Sequence, residues 1–364
     1  MLFSSSLVVS MKTIEEIREA AINFLDLGVT KKVLLVVDDD EDGMTSGFQM
    51  KNFLEENKQD VKLMFNEKRS IAPGAIKEEE EFKEIVEKSG TELIVFCDLN
   101  EEIAAQKLIL INPELKVLIV DHHPTPEDFV IKNKLMVIKP GNFSDKIPAN
   151  YSATKVVFDV FGGDDLAALI GLIGDSSLGN WEEFGQKVMD ENKITLEVAT
   201  RLANVIKSIV SNYGSRKEEL FEFVCKNKSF ISLVGSEYEE LAKKFEALIE
   251  KERKRFYEDS EKIDGVELIF YKTKSGLPSK LSNVLSKENK EVLVIYSESD
   301  YVKGSVRRSD FKVDCGALIK SSIKVSPLAR GGGHIPAGGF SCPVGSWVEF
   351  KQAATEFMKN QKIE

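Results

Sequence analysis

Over roughly the first 180 residues the chain alternates two patterns of apolar and polar positions. Short runs that are apolar at nearly every position have strand length: Val33–Val37, Val61–Phe65, Leu93–Cys97, Val117–Val120 and Leu135–Ile138. Between and after them, Met44–Glu56, Glu78–Lys88, Glu101–Leu110, Ala153–Phe161 and Asp165–Ile173 repeat apolar residues at helical spacing. Continuously apolar strands separated by helices predict a parallel sheet covered on both faces, with ligands gathered at the carboxyl ends of its strands. From about residue 181 to 262 the pattern becomes helical and highly charged, as in LAKKFEALIEKERKRFYEDSEK, which reads as solvated helix. Strands resume at Val266–Tyr271, Val292–Tyr296 and Val302–Val306, followed by a glycine-rich stretch, Gly331–Gly339, and a helix from Ser346. The expected class is α/β: a parallel-sheet domain over residues 11–185, a helical connector over 186–262 and a smaller α/β domain over 263–364. The first ten residues, MLFSSSLVVS, read as an extension before a helix opening at Met11.

Composition narrows the class without changing it. A chain of 364 residues that is 42% hydrophobic has ample core and is neither disordered nor fibrous. Its longest apolar runs fall far short of the ~20 residues a membrane span needs. Cys97, Cys225, Cys315 and Cys342 lie far apart with no C-x-x-C spacing, which suits a reducing cytoplasm. A net charge of −11 argues against a non-specific coat for nucleic acid. It leaves a local basic groove, or a site rich in metal cations, as the route to a phosphate.

The chemistry collects where the strands end. Val33–Val37 runs into Asp38-Asp39-Asp40-Glu41-Asp42-Gly43. On an extended segment, Asp38, Asp40 and Asp42 would share one face. Clustered carboxylates repel unless cations neutralise them, and hard oxygen ligands suit Mg²⁺ or Mn²⁺. Asp98 follows the run LIVFC, Asp121-His122-His123 follows VLIV, and Asp175 follows the apolar helix LIGLIG. Any one aspartate could simply cap a helix. The chain has three histidines in all, two of them adjacent at a strand end and the third in Gly331-Gly332-Gly333-His334. That distribution points to function.

The string D-H-H after an apolar strand, an upstream D-x-D-x-D-G-x-T-S (Asp38 to Ser46) and a downstream GGGH-x-x-AGG resemble the DHH phosphoesterase superfamily, over nearly the whole chain. The first motif resembles the RecJ-type branch of single-strand exonucleases, in particular compact archaeal ones. Where other branches carry a histidine, this chain has Val36, and Asp38 matches the additional aspartate of the RecJ-type branch.

The resemblance implies two Mn²⁺ ions, with Mg²⁺ as a substitute, held by Asp38, Asp40, Asp42, Asp98, His122 and Asp175. Asp42 and Asp98 would lie near both ions. Asp121 would hydrogen-bond a histidine, and His123 would contact the scissile phosphate. Arg69, Ser305, Arg307, Arg308, Gly331, Gly332, Gly333 and His334 would bind substrate. The glycines would serve by letting backbone N–H groups form an anion nest.

The implied activity is hydrolysis of single-stranded DNA or RNA to mononucleotides, with a repair helicase or replication partner beside it. Two alternatives stand: a phosphodiesterase or phosphatase for short oligoribonucleotides, nucleoside bisphosphates or cyclic dinucleotides, and a non-catalytic CDC45-like replication scaffold. The chain departs from the family pattern at Asp39 and Glu41, which add acidity, and at Arg308, where a small residue is common.

Overall fold

The computed structural model describes residues 13–66, 90–124, 134–144 and 150–361. Met11, Arg69 and the helix expected over Glu78–Lys88 lie outside these residues. The chain divides into two compact units, residues 1–242 and 243–364.

In the first unit, α1 (Ile14–Leu25) precedes β1 (Lys32–Asp38), α2 (Glu41–Glu56), β2 (Asp60–Asn66), β3 (Leu93–Cys97), α3 (Glu102–Ile111), β4 (Lys116–Val120) and β5 (Leu135–Ile138). The five strands form one parallel sheet in the order β2-β1-β3-β4-β5. Side-chain alternation splits β1 between two cores. Val33, Leu35 and Val37 face the larger one, while Leu34 and Val36 pack with Ala105, Leu108 and Ile109 of α3. Register then sets the chemistry. Val37 pairs with Cys97 and Cys97 with Val120, so the residues that follow, Asp38, Asp98 and Asp121, emerge side by side at the carboxyl edge.

Further α-helices of this unit among the described residues are α4 (Ala153–Phe161), α5 (Asp165–Gly174), α6 (Glu182–Asn192), α7 (Leu196–Asn212) and α8 (Lys217–Asn227). The segment expected to be a separate connector is largely part of this unit. Val188, Leu202, Ile206, Phe221 and Phe230 are buried in its larger core. Charge on one helical face hid an apolar stripe on the other.

The second unit begins within α9 (Glu237–Asp259) and contains β6 (Glu261–Lys262), β7 (Leu268–Lys272), α10 (Pro278–Leu285), β8 (Val292–Glu298), β9 (Tyr301–Arg307), α11 (Cys315–Ser322), β10 (Arg330–His334), β11 (Ala337–Pro343) and α12 (Trp347–Lys359). Its strands are ordered β10-β11-β9-β8-β7-β6 and antiparallel except for the parallel pair β7 and β8. One core, with Leu318, Phe340 and Phe350, includes residues of α11 and α12. Another, with Phe256, Leu281 and Ile295, includes residues of α9 and α10. The glycine-rich stretch is a β-hairpin.

Candidate metal centre

The acidic run after β1 does not continue the strand. Asp40 caps α2, its Oδ1 accepting the Gly43 N–H at 3.0 Å, so the helix starts at Glu41 rather than at Met44. The expectation that Asp38, Asp40 and Asp42 share one face of an extended segment is thereby corrected. Asp38 ends the strand, Asp40 is the cap and Asp42 lies in the first helical turn. The turn is tight: a Cβ on Gly43 would run into the Asp38 carbonyl.

The helix start turns Asp42 toward α4. Its carboxylate accepts the backbone N–H groups of Ala153 at 2.6 Å and Thr154 at 2.9 Å, and the Thr154 hydroxyl as well. An anion at a helix N-terminus is favoured by those free N–H groups and by the helix dipole.

Ligating atoms fall into three sets, each with its atoms within 4.8 Å of one another. Asp38, Asp40 and Asp98 form one with carboxylate oxygens, and Asp42, His122 and Asp175 another with two carboxylates and an imidazole. The third, Asp98, Asp121, His122 and His123, shares Asp98 with the first and His122 with the second. His122 Nε2 lies 3.4 Å from Asp98 Oδ1 and 3.2 Å from Asp175 Oδ2, so it links the sets. Asp98 adopts a left-handed backbone, φ +60°, and Oδ1 of its buried carboxylate has no hydrogen-bond partner.

Electrostatics point the same way. Burial, reinforced by Asp42, Asp40, Asp38 and Asp121, pushes Asp98 well above the usual carboxylate range. Burial and then Asp175 raise Asp42 to about 6, against the pull of His122 and Thr154. Burial also raises Asp175. Without a cation these carboxylates bind protons more tightly than free ones do, and a divalent ion would displace those protons. Oxygen donors with one imidazole, together with the orphaned Asp98 oxygen, fit such an ion.

Asp121 behaves differently. Burial would raise it, but the hydrogen bond from His123 Nδ1, 2.8 Å from Oδ1, and the charge of Lys139 hold it at about 2. The same bond raises His123, against its partial burial. Thus the histidine oriented by Asp121 is His123, while His122 Nδ1 is buried with no hydrogen-bond partner.

Sequence reasoning missed Lys139, whose Nζ lies 3.1 Å from Asp121 Oδ2 and 2.5 Å from Glu102 Oε1 and donates to the His123 carbonyl at 2.7 Å. A lysine directly after the apolar run of β5, at the same sheet edge, was the available signal. It also missed what balances the two additional acids: Lys207 of α7 pairs with Glu41 at 2.7 Å, and Lys217 of α8 lies 4.0 Å from Asp39.

In the second unit, Ser305 accepts a hydrogen bond from Ser282 at 2.9 Å and is largely buried. Arg307 and Ala337 are paired in register, and Ala337 pairs in turn with His334. One substrate-binding expectation needs correction. Arg308 is 2% exposed, and its guanidinium is committed to both oxygens of Asp310, at 2.6 and 2.8 Å, and to Glu267 at 2.6 Å. It is a structural clamp rather than an anion ligand.

The glycines lie in an extended hairpin, β10 pairing with β11 along its length, and β10 is the edge strand of the sheet among the described residues. Gly331 faces α11, where a Cβ would lie 2.7 Å from Ile319, and a Cβ on Gly333 would strike the facing strand. Gly332 has open space where its Cβ would be.

A buried cluster of hard ligands at the carboxyl edge of a parallel sheet, in a chain that also carries a mixed-sheet unit, defines an α/β protein suited to divalent cations. Residues 32–173 match the model of the DHH family, N-terminal domain. The architecture is the RecJ-like α/β fold. A structure of exonuclease RecJ bound to manganese superposes with a TM-score of 0.75 at 17% identity, covering 98% of this chain and 97% of that one. RecJ in complex with Mn²⁺ from Thermus thermophilus gives 0.67 at 17% identity, covering 98% of this chain and 56% of that one. CDC45 from Entamoeba histolytica gives 0.59 at 10% identity, with 95% and 99% covered. No curated protein sequence matches the chain. Among the described residues no helix is long and apolar enough to cross a membrane.

Proposed function

We propose that this protein is a Mn²⁺-dependent exonuclease that hydrolyses single-stranded DNA, and RNA as a second substrate, to mononucleotides. The observation that carries the reading is the joining of the two ligand sets, Asp38, Asp40, Asp98 and Asp42, His122, Asp175, through the short approaches of His122 to Asp98 and Asp175. When bound there, a pair of divalent ions supplies Lewis acidity and a water of lowered pKa. The chain's own residues do the rest. Asp121 holds His123 by Nδ1, which leaves Nε2 for a phosphate oxygen, and Lys139 keeps Asp121 ionised and fixed. Lys207 and Lys217 offset Glu41 and Asp39, so the additional acids do not repel an incoming phosphate.

Charge supports a division of labour. Residues 1–242 hold 27 basic and 43 acidic residues, net −16, whereas residues 243–364 hold 22 and 17, net +5. The acidic unit suits cations and the basic one suits phosphates, with Arg307 and His334 as its strand-binding side chains.

The test is incubation with Mn²⁺ and a single-stranded DNA oligomer labelled at one end or the other, beside a dinucleotide and an Asp40→Ala control. Stepwise loss from one labelled end, absent in the control, is expected. Turnover of the dinucleotide alone would move the protein to the short-substrate reading, and no turnover of either would leave the scaffold.

A further inference from the structure

The residues after β9 make a feature that the proposed hydrolysis does not require. Phe311 is 65% exposed and sits at φ +62°, a left-handed conformation that is strained for a bulky side chain. It borders a cavity of about 380 Å³ whose other walls include Asp314, Lys320, Gly333, His334 and Ile335. That is within the range of roughly 300–1,000 Å³ usual for small-molecule sites.

The walls are fixed by hydrogen bonds. The hairpin turn is pinned at two points, Ile335 O accepting the Cys315 N–H and Pro336 O the Arg308 N–H, both at 2.9 Å. The Arg308 side chain clamps Asp310, and Asp310 Oδ1 also accepts the Lys312 N–H at 3.1 Å. Phe311 lies between these two anchored residues. The clamp that removes Arg308 from the substrate therefore holds an aromatic ring out over a preformed hollow.

We propose that this cavity is a nucleobase pocket in which Phe311 stacks on a terminal base of the substrate. The proposal rests on the nucleic-acid reading above. Three observations favour a base over another occupant. The cavity combines one exposed aromatic face with a glycine wall, which suits a flat ring. Lys320 adds a donor, and Asp314, whose Oδ1 caps α11 by accepting the Ala317 N–H at 2.8 Å, adds its second carboxylate oxygen as an acceptor. His334, which also borders the cavity, lies in register across Ala337 from Arg307. A base in the cavity would thus have its phosphate beside a cationic side chain. Stacking tolerates any base, as an enzyme that degrades mixed sequence requires.

The test compares wild type, Phe311→Ala and Phe311→Trp on three single-stranded oligomers: intact, abasic at one terminus and abasic at the other. On the intact oligomer, Phe311→Ala should raise KM about tenfold with kcat little changed, and Phe311→Trp should restore it. On one of the two abasic oligomers, wild type and Phe311→Ala should have equal KM. Equal KM on the intact oligomer, or the same penalty on all three, overturns the pocket.

Equilibrium titration in EDTA with an oligomer carrying a fluorescent purine analogue at either end gives a readout independent of turnover. Phe311-dependent quenching at one end is expected. If wild type cleaves nothing and quenching persists, the pocket stands and the exonuclease reading fails. If quenching is absent or unaffected by the alanine, the pocket fails.

Discussion

At the scale of single residues, one buried lysine joins two buried carboxylates. The Lys139 side chain is 8% exposed, and Glu102 and Asp121, which it joins, are fully buried. Lys139→Met would leave Glu102 without its cation and Asp121 with His123 alone, and urea denaturation should show a loss of about 3–5 kcal/mol. Two groups give pH effects of opposite sign. Asp121 is held at about 2, below its ordinary 3.8, so its stabilising contribution is present above about pH 4 and lost as pH falls through 2. Asp42 is raised from 3.8 to about 6, so the metal-free fold binds a proton that the unfolded chain gives up. That contribution is full below pH 3.8 and lost as pH rises through 6. Melting in EDTA should therefore show a falling Tm between about pH 4 and 7, and saturating Mn²⁺ should abolish the fall. The candidate ligands were legible in the sequence because they cluster just after apolar strands and one apolar helix. Lys139 was not, because a lysine after a strand resembles an ordinary surface residue until Glu102 and Asp121 are seen around it.

At the scale of elements, glycines set how closely backbones approach. In α5 a Cβ on Gly171 would lie 2.5 Å from Thr154 Oγ1 and 2.7 Å from Asp42 Oδ1. Gly171→Ala should therefore disturb the hold of α4 on Asp42 and weaken Mn²⁺ binding in calorimetry. In the hairpin, Gly338→Ala would bring a Cβ 2.5 Å from Ile319 and 2.6 Å from the Gly332 carbonyl, whereas Gly332→Ala meets nothing within 4 Å. Thermal and urea melts should show a loss of about 1–3 kcal/mol for the first and little change for the second. The alternation that marks strands was invisible here because glycines have no side chains to alternate. The same blindness, in milder form, made α2 look three residues shorter, since an acidic N-terminal turn carries no apolar residue to reveal its period.

At the scale of the whole molecule, residues 243–364 have a sheet with buried residues on both faces and a net charge of +5. A fragment starting at Glu237 should melt cooperatively by circular dichroism. It should bind single-stranded DNA more weakly as salt rises, with Arg307→Ala lowering the slope of log K against log salt by about 0.7. The two-unit plan was readable from the return of strands after the charged helices. The boundary was not, because the helices of residues 182–227 bury their apolar stripes in a core whose other walls come from far earlier in the chain. That arrangement has a consequence during synthesis. The six candidate ligands have all left the ribosome once Asp175 has, but Lys207 and Lys217, and buried residues as late as Ala242, are still to come. A nascent chain at that point carries a complete set of ligands around an open, apolar floor. Premature termination between residues 176 and 242 should yield an aggregating product, whereas a stop after residue 242 leaves the first unit's core entire.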